Sequence, residues 1–526
     1  MRALWRLSLF INFLVCLSTS GQSTDTKPVR ASSTVASASA LSDFEFQSEG
    51  LKNLASHTNA PSLKKVLTVD KARDFTSQIA RVFASKAVGV LHLSPRDPQY
   101  ALLLEELLAA PLSISGKFSK EGLDTFQIVA ELPEKDASLW IEKLSSSIKN
   151  GKGKVDAIPN SSFSKIDQEK GKSFSFGFTN QQLVLDFGDA SGDPKNRLPS
   201  KSQKTPMASL GTNLFHLRLS GELARPLGLK AKEVEFWVSP RGENLRTLGK
   251  IVPEKPISSG IQDFVVPEII RDPLLSFFAV QKVDELFRLP TYMTEFGLPL
   301  HMNQVFGWSD GGLPFQSFLL TELAGSRAFL QSLGPKATNI LGPKISQAGF
   351  GTLSFTNDSL VVKGTPFVVP TLEPMEVKGR TYLFANLFPF AKTTNAFPRE
   401  LLQELDPAKK LLYYDWEISE SRISHWQVLN SLSPIFRLDQ PSTSQNGPRT
   451  YIPNYAQLRW LPLLEGNLGN TVTEISLKSP DELAFVRNSK IGFTGMEIMA
   501  LSQWLANNDP VKELPSMPMP VTTPAK

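Results

Sequence analysis

A short phrase that occurs twice constrains the fold of this chain more than any other feature. Residues 178–184 read FTNQQLV and residues 355–361 read FTNDSLV, with five of seven positions identical. In both copies, apolar and β-prone residues flank a polar centre that contains asparagine, a residue that tolerates the left-handed backbone of a tight turn. Each copy predicts a β-hairpin, and the two together indicate a tandem repeat.

The order of predicted elements around the two phrases supports the repeat. A strand at Thr125–Leu132 and a helix containing Trp140 precede the first phrase, and a strand at Phe315–Leu323 and a helix containing Leu330 precede the second. The strands share the pairs Phe-Gln and Glu-Leu. The pattern predicts an α+β fold with mostly antiparallel sheets, amphipathic helices on one face and two related tandem halves.

The length of 526 residues exceeds what one ordinary core accommodates, so several units are expected. We predict a signal peptide at 1–20, a flexible leader at 21–61, a first α+β unit at 62–265 with a linker-like loop at 190–211, a second α+β unit at 266–508 with an additional C-terminal strand–helix part, and a disordered tail at 509–526.

The first residues have the pattern of a secretory signal peptide. Arg2 and Arg6 precede the apolar stretch Leu7–Leu17, and small residues follow at 18–21. This stretch is too short to span a bilayer, so no transmembrane segment is expected after signal removal. The single cysteine, Cys16, lies inside it. An exported mature chain without cysteine is typical of bacteria, and we expect a periplasmic or secreted protein.

The charge pattern argues against nucleic-acid binding. The formal net charge is +5 at neutral pH, and basic and acidic residues are interspersed throughout the chain. A nucleic-acid-binding protein concentrates Lys and Arg on one patch or stripe. The expected partner is therefore an unknown ligand or protein of the cell envelope.

Two segments near the C-terminus have the pattern of helix N-termini. Ser479-Pro480-Asp481-Glu482 and Thr494-Gly495-Met496-Glu497 each place a hydroxyl residue three positions before a glutamate, as in a capping box. Both predict the start of a helix. Further upstream, the apolar run Val88–Leu93 predicts a short strand.

Known catalytic and cofactor motifs are absent or lack their context. The five histidines, His57, His92, His216, His301 and His425, are scattered, so neither a metal site nor a cofactor is predicted. Gly307–Gly311 matches G-x-S-x-G, but a predicted strand follows where a nucleophile elbow needs a helix, which favours a glycine-rich turn. Ser62–Lys65 matches S-x-x-K without the Lys-Thr-Gly partner of penicillin-binding enzymes. No phosphate-binding glycine loop is present.

Asp415 and Glu417 are the one pair of carboxylates that we singled out as a candidate acid–base pair. They alternate with Leu412, Tyr414 and Trp416 on a predicted strand, which puts both on one face. Their expected separation of about 6–7 Å is near that of an inverting glycosidase pair. The simpler interpretation is the solvent-exposed face of an antiparallel strand, and it is favoured, so no catalytic residue is assigned.

The last fifth of the chain contains the segments Leu412–Glu417, Gly469–Glu474, Gly492–Gly495 and Trp504-Leu505. Together these segments resemble uncharacterised exported bacterial proteins. The resemblance implies a bacterial envelope context and no catalytic mechanism. From these features we predict a non-enzymatic binding or structural protein of the cell envelope. A secreted hydrolase that uses paired carboxylates is the alternative, and a periplasmic lipid carrier is a weaker one.

Overall fold

The fold is described from a computed structural model of the chain. The structure describes residues 42–69, 72–91, 99–119, 122–150, 153–158, 161–167, 172–179, 181–189, 210–221, 223–224, 228–258, 260–288, 303–311, 316–347, 351–364, 369–387, 395–432, 464 and 466–508. The segments that we predicted to be a signal peptide and a disordered tail, and most of the predicted loop at 190–211, lie outside these residues.

Within this part of the chain, twenty strands form one antiparallel sheet. The strands are β1 Phe44–Ser48, β2 Leu112–Ser119, β3 Gly122–Glu131, β4 Asp156–Ala157, β5 Phe163–Asp167, β6 Lys172–Thr179, β7 Gln182–Asp189, β8 Phe215–Ser220, β9 Ala231–Arg241, β10 Asn244–Pro253, β11 Leu274–Gln281, β12 Gln304–Asp310, β13 Ser317–Glu322, β14 Thr352–Thr356, β15 Ser359–Lys363, β16 Thr371–Val377, β17 Arg380–Asn386, β18 Leu411–Ile418, β19 Asn470–Ser479 and β20 Glu482–Ser489.

The described residues also form ten α-helices. They are α1 Leu51–Ser56, α2 Pro61–Thr68, α3 Ala72–Leu91, α4 Gln99–Ala109, α5 Glu134–Asn150, α6 Val283–Leu286, α7 Ser326–Gln347, α8 Glu400–Glu404, α9 Ser419–Leu432 and α10 Gly495–Asn508. A 3₁₀ turn covers Pro407–Lys409. The predicted α+β class with antiparallel pairing is confirmed. None of the described helices is long and apolar enough to cross a membrane.

Each strand pairs with its neighbours in a single unbranched order. From one end of the sheet to the other the order is β4-β5-β6-β7-β3-β2-β1-β8-β9-β10-β20-β19-β18-β11-β12-β13-β17-β16-β15-β14. The middle of the sheet is the antiparallel β10–β20 pair, in which Leu248 lies opposite Val486.

Most helices pack on one face of the sheet, which we call the helix face. A row of directly paired residues runs from Leu185 on β7 across the sheet to Leu383 on β17, and paired residues point to the same side. Trp140 of α5 packs in the cluster around Leu185, and Leu330 of α7 packs in the cluster around Leu383. The helix face therefore buries the apolar stripes of these two helices.

The opposite face is covered differently in the second half of the chain. Phe277, Phe306 and Tyr414 form an aromatic core on that face. Leu401 and Leu405, in α8 and just after it, pack into the same core. The predicted placement of helices on one face holds for α5 and α7, and α8 departs from it.

Part of the predicted flexible leader is ordered, so that prediction was wrong for residues 44–61. Strand β1 lies between β2 and β8. Phe44 is almost fully buried in the central core, the hydrophobic cluster that also contains Leu217, Val280 and Tyr413. Its five residues, FEFQS, alternate apolar and polar side chains. Five residues are too few for their alternation to stand out beside a Ser- and Ala-rich segment, and burial between two longer strands fixes them instead.

The predicted strand at Val88–Leu93 is also wrong, because α3 continues through Leu91. A short apolar run does not distinguish a strand from the buried end of a helix. Within α3, Phe75, Ile79, Val82 and Phe83 recur at helical spacing and pack in one cluster with residues of α9 and α10.

The two capping-box patterns have different outcomes. Thr494–Glu497 does begin helix α10, as predicted. Ser479–Glu482 instead forms the tight turn between β19 and β20, and Ser479 pairs directly with Glu482. Pro and Asp also favour tight turns, and the pairing of two long strands outweighs local helix preference.

The two repeated phrases form hairpins as predicted, at different places in the sheet. The first joins β6 to β7, and its turn residue Gln181 has φ 62°. The second joins β14 to β15 through Asn357 and Asp358, with φ 52° and 59°. The first hairpin lies inside the sheet, whereas β14 is an edge strand.

Candidate functional site

Strand β18 carries the predicted pair Asp415 and Glu417, and a β-bulge sets their surroundings. The pairing register with β19 shifts between Leu411 and Tyr413. Because of this bulge, Leu411 packs with Tyr414 and Trp416, and Leu412 joins the central core with Tyr413. The predicted shared face of Leu412, Tyr414 and Trp416 is therefore wrong for Leu412.

The neighbouring strands place polar residues directly beside the two carboxylates. Ser276 and Thr471 are the pairing partners of Glu417, and Thr473 is a partner of Asp415. The next strands continue the two rows with Ser309 and Arg487. These side chains, with three from α9 and α10, form a polar cluster on the helix face that we define as Ser276, Ser309, Asp415, Glu417, Ser419, Arg422, Thr471, Thr473, Arg487 and Glu497.

Glu417 is buried, with 3% of its surface exposed, and binds the ends of two helices. Its Oε1 atom accepts hydrogen bonds from the Ser419 hydroxyl, at 2.6 Å, and from the backbone N–H of Gly495 at the start of α10. A side chain at Gly495 would meet the Ser419 carbonyl at 2.7 Å, so glycine permits this close approach. Glu417 therefore holds α9 and α10 to the sheet.

This position overturns the simpler interpretation that we favoured from the sequence. A solvent-exposed strand face would leave Glu417 in water, whereas α9 and α10 cover it. Alternation on a strand separates the two faces but does not say which face another element will cover.

Arg422 extends from α9 over the row of paired residues Ser309, Ser276 and Glu417. It donates hydrogen bonds to the hydroxyls of Ser276 and Ser309, which also bond to each other. Its Nε atom lies 3.9 Å from Oε2 of Glu417. The guanidinium thus gives the buried Glu417 charge a nearby cation.

Arg487 of β20 and Glu497 of α10 form a buried bidentate ion pair. The two hydrogen bonds measure 2.7 and 2.9 Å, and the side chains are 8% and 9% exposed. Arg487 Nε also donates to the Thr473 hydroxyl at 3.0 Å. The Glu497 carboxylate accepts the backbone N–H of Thr494, which completes the capping box of α10.

Asp415 is the carboxylate of the cluster that has no hydrogen-bonding partner among the described residues. It lies beside Thr473 and Phe278 in the sheet and keeps some surface exposed. Burial, reinforced by the negative charge of Glu417, raises the pKa of Asp415 to about 7, against the opposing effects of Arg422 and Arg487. A carboxyl group that titrates near neutrality can give or take a proton there.

Arg422, Arg487 and Ser276 were not identified from the sequence, and Glu497 was identified only as a capping residue of a helix. A signal was present for Arg487. Leu483, Phe485 and Arg487 alternate along β20, so the arginine occupies an inward position of an apolar strand face. A charged residue at such a position predicts a buried partner.

Neither short catalytic motif has catalytic geometry. Ser309 of the G-x-S-x-G match lies within β12, not in the predicted glycine-rich turn, and is 3% exposed. A methyl group at Gly307 would lie 2.1 Å from a ring carbon of Phe278, so this glycine serves strand packing. Ser62 of the S-x-x-K match donates to the Glu243 carbonyl from helix α2.

The three histidines that the structure describes are apart from each other. His216 contacts Glu235 at 2.9 Å and stacks on Trp237, and His57 lies 3.9 Å from Glu49. His425 lies on α9, whereas His92 and His301 are outside the described residues. Over the described ranges, no group of three or more His, Cys, Asp or Glu side chains could hold a metal ion.

A separate cleft lies at the opposite end of β18. It has a volume of about 430 Å³ and is bounded by segment 261–264, the loop before β18 and the tip of the β19–β20 hairpin. Its lining combines apolar and charged side chains, namely Ile261, Phe264, Leu405, Leu411, Leu477, Asp263, Asp406, Lys410 and Lys478.

The backbone of the cleft is fixed at Lys410. This residue has φ 48°, its N–H donates to the Pro407 carbonyl, and its own carbonyl accepts the N–H of Leu477. Its side chain is exposed, and among the described residues its ammonium has no partner. Lys478, in contrast, pairs with Glu482 at 2.6 Å.

No protein-family model, curated protein or solved structure matches this chain.

Proposed function

We propose that this chain is an exported, non-enzymatic binding protein of the bacterial cell envelope that binds a small ligand in the cleft at the start of β18. The cleft carries this proposal. Its volume of about 430 Å³ falls in the range of about 300–1,000 Å³ of small-molecule sites. Export and a bacterial origin rest on the N-terminal sequence pattern, which lies outside the described residues.

The lining indicates a ligand with an apolar body and an anionic group. Phe264, Leu411 and Leu477 supply apolar surface, and the exposed side chain of Lys410 supplies a cation at the rim. A carboxylate or phosphate placed there would gain a charge-assisted hydrogen bond. Asp263 and Asp406 on the same rim disfavour a polyanion.

The binding test uses dansyl-labelled carboxylic acids of short and long chain length with the wild-type protein. We expect saturable binding, and Lys410→Glu should lower the affinity by about tenfold or more, equivalent to about 1.4 kcal/mol. The matched control is Lys65→Glu, at an exposed position of α2 outside the cleft.

Equal affinity of wild type and Lys410→Glu would rule out the cleft as the binding site. Binding of the long-chain acid alone would favour the weaker alternative of a periplasmic lipid carrier. Such a carrier needs room for a whole acyl chain.

We also propose that the chain consists of two related tandem halves, β1–β10 and β11–β20. The first half pairs in the order β4-β5-β6-β7-β3-β2-β1-β8-β9-β10, and the second in the order β14-β15-β16-β17-β13-β12-β11-β18-β19-β20. Adding ten to each strand number in the order of the first half gives the order of the second half. A long helix, α5 or α7, follows the third strand of each half.

The repeated phrase itself does not support this relation. Its copies lie on β6–β7 and β14–β15, whereas the order of strands makes β16–β17 the counterpart of β6–β7. The other landmark fits better, because Gln127 lies on β3 and Gln316 directly precedes β13. An experimental structure tests the relation: β1–β10 should superpose on β11–β20 in one-to-one order, and any other optimal match of strands would contradict it.

A secreted hydrolase with Asp415 and Glu417 stays the second candidate, because Asp415 has a raised pKa and no described partner. Glu417 counts against it, since its carboxylate is bound to Ser419 and Gly495. Chromogenic glycosides and esters test the idea. Hydrolysis by wild type that is lost in folded Asp415→Asn would support it, and an inactive wild type would argue against it.

A further inference from the structure

We propose that the polar cluster is a proton-binding switch, in which the charge on Asp415 sets how tightly α9 and α10 pack on the helix face. The inference goes beyond ligand binding in the cleft and does not depend on it. It rests on three observations: the charge balance of the cluster, the commitment of the other carboxylates, and the composition of the corresponding strand in the first half.

The charge balance is uneven when every group is ionised. Three carboxylates, on Asp415, Glu417 and Glu497, share the cluster with two guanidinium groups, on Arg422 and Arg487. In this part of the described chain one negative charge is therefore in excess. A proton on Asp415 removes the excess, so the neutral cluster is the one that burial favours.

The other two carboxylates already have their partners. Glu497 accepts hydrogen bonds from both terminal nitrogens, Nη1 and Nη2, of Arg487. Glu417 accepts hydrogen bonds from the Ser419 hydroxyl and from the backbone N–H of Gly495 at the start of α10. A charge on Asp415 gains no described hydrogen bond in exchange for its hydration. The proton therefore binds most readily at Asp415.

The corresponding strand of the first half has hydrocarbon in this layer. Strand β8 holds the place of β18 in the proposed tandem order, and its helix-face residues are Phe215, Leu217 and Leu219. Strand β18 carries Tyr413, Asp415 and Glu417 on that face. In the first half, the helix face of this strand is therefore packed with uncharged side chains. This fold does not need the charged cluster of the second half for its stability.

Titration of Asp415 would act on α9 and α10 together. On folding, its pKa rises from an ordinary aspartate value to about 7 because of burial and the Glu417 charge. Between those values the unfolded chain loses the proton while the folded chain keeps it. The packing is therefore tightest at acid pH, and stability is lost as the pH rises toward 7.

The other titratable groups around Asp415 can be distinguished from it. Tyr413 is buried, which raises its pKa well above the usual value, so it stays neutral in this range. His425 on α9 has a lowered pKa, because of burial and the charge of Arg422. Protonation of His425 destabilises the folded chain at acid pH, which is the opposite sign to Asp415.

The experiment measures hydrogen-exchange protection of the α9 and α10 amides in the full chain at about pH 5.5 and about pH 8, corrected for the intrinsic exchange rates. In wild type we expect protection to fall by about tenfold or more at the higher pH. In Asp415→Asn the two values should agree within about twofold. Glu420→Gln, at a partly exposed carboxylate of α9, should behave as wild type.

A fall of the same size in Asp415→Asn as in wild type would overturn the proposal, as would a pH dependence that disappears in His425→Gln. Carbon-13 NMR of the wild-type aspartate carboxyls needs no neutralised variant. The Asp415 signal, assigned from its loss in Asp415→Glu, should titrate between about pH 6 and pH 8. A midpoint below about pH 5 would exclude the switch.

Discussion

The guanidinium of Arg487 and the carboxylate of Glu497 are joined by two hydrogen bonds of 2.7 and 2.9 Å between β20 and α10, and both side chains are buried. The pair attaches the last helix to a central strand of the sheet. Strand β19 lies between Arg487 and Asp415, and on its other side Arg487 is paired with Thr247 of β10. Several properties of the protein depend on this junction.

Removal of one partner of this ion pair should destabilise the fold strongly. Arg487→Leu leaves the Glu497 charge buried without its cation, and we expect a loss of about 3–5 kcal/mol in the free energy of unfolding, measured by urea denaturation. The double variant Arg487→Leu/Glu497→Gln should recover part of the loss. Lys478→Ala, in an exposed pair with Glu482, should leave the free energy of unfolding almost unchanged. A single variant as mild as this control would contradict the assigned role.

The hydroxyl of Thr494 should contribute measurably to helix α10. It accepts the N–H of Glu497 at 3.1 Å, so Thr494→Ala should lower the free energy of unfolding by about 1 kcal/mol. Thr494→Ser keeps the hydroxyl and should stay within about 0.5 kcal/mol of wild type. Equal losses in the two variants would show that the methyl group matters and the cap does not.

Substitution by alanine should affect two glycines, Gly307 and Gly342, to very different extents. Gly307→Ala forces a methyl group to within 2.1 Å of Phe278, which should cost about 1–3 kcal/mol. Gly342 lies in helix α7, and the nearest atom to its added methyl group is 4.0 Å away. Because Pro343 follows directly and crowds a Cβ at position 342, the helix preference of alanine is offset there, and Gly342→Ala should stay within about 0.5 kcal/mol of wild type. Thermal unfolding compares both with wild type, and a Gly307→Ala variant as stable as wild type would contradict the packing at β11–β12.

Glu49 should make stability depend on pH near the start of the chain. It is 6% exposed, and burial raises its pKa although His57 lies 3.9 Å away. Stability is therefore lost as the pH rises through the raised folded pKa. Glu49→Gln should stabilise the protein at neutral pH and have a smaller effect at about pH 4, where more of the wild-type carboxyl is protonated. Exposed Glu376→Gln, measured in the same pH series, should show no such difference.

The sequence was most informative where local chemistry decides the structure. The turn at Asn357-Asp358 needs two positive φ angles, and the sequence provides residues that tolerate them. Helix α5 begins after a proline and carries its buried residues at helical spacing, so Trp140 and Leu144 could be assigned to the core from the sequence. Thr494 and Glu497 satisfy backbone groups within one turn of helix, which is why their pattern was sufficient.

Long-range pairing decided the remainder. The Ser479–Glu482 segment satisfies the same local pattern as Thr494–Glu497, and only the pairing of β19 with β20 makes it a turn. The order of the twenty strands depends on contacts between residues hundreds of positions apart, which periodicity along the chain does not contain. The candidate site shows the same division. The sequence put Asp415 and Glu417 on one face of a strand, but the covering by α9 and α10, the buried cations Arg422 and Arg487, and hence the raised pKa of Asp415 arise only when distant segments pack together.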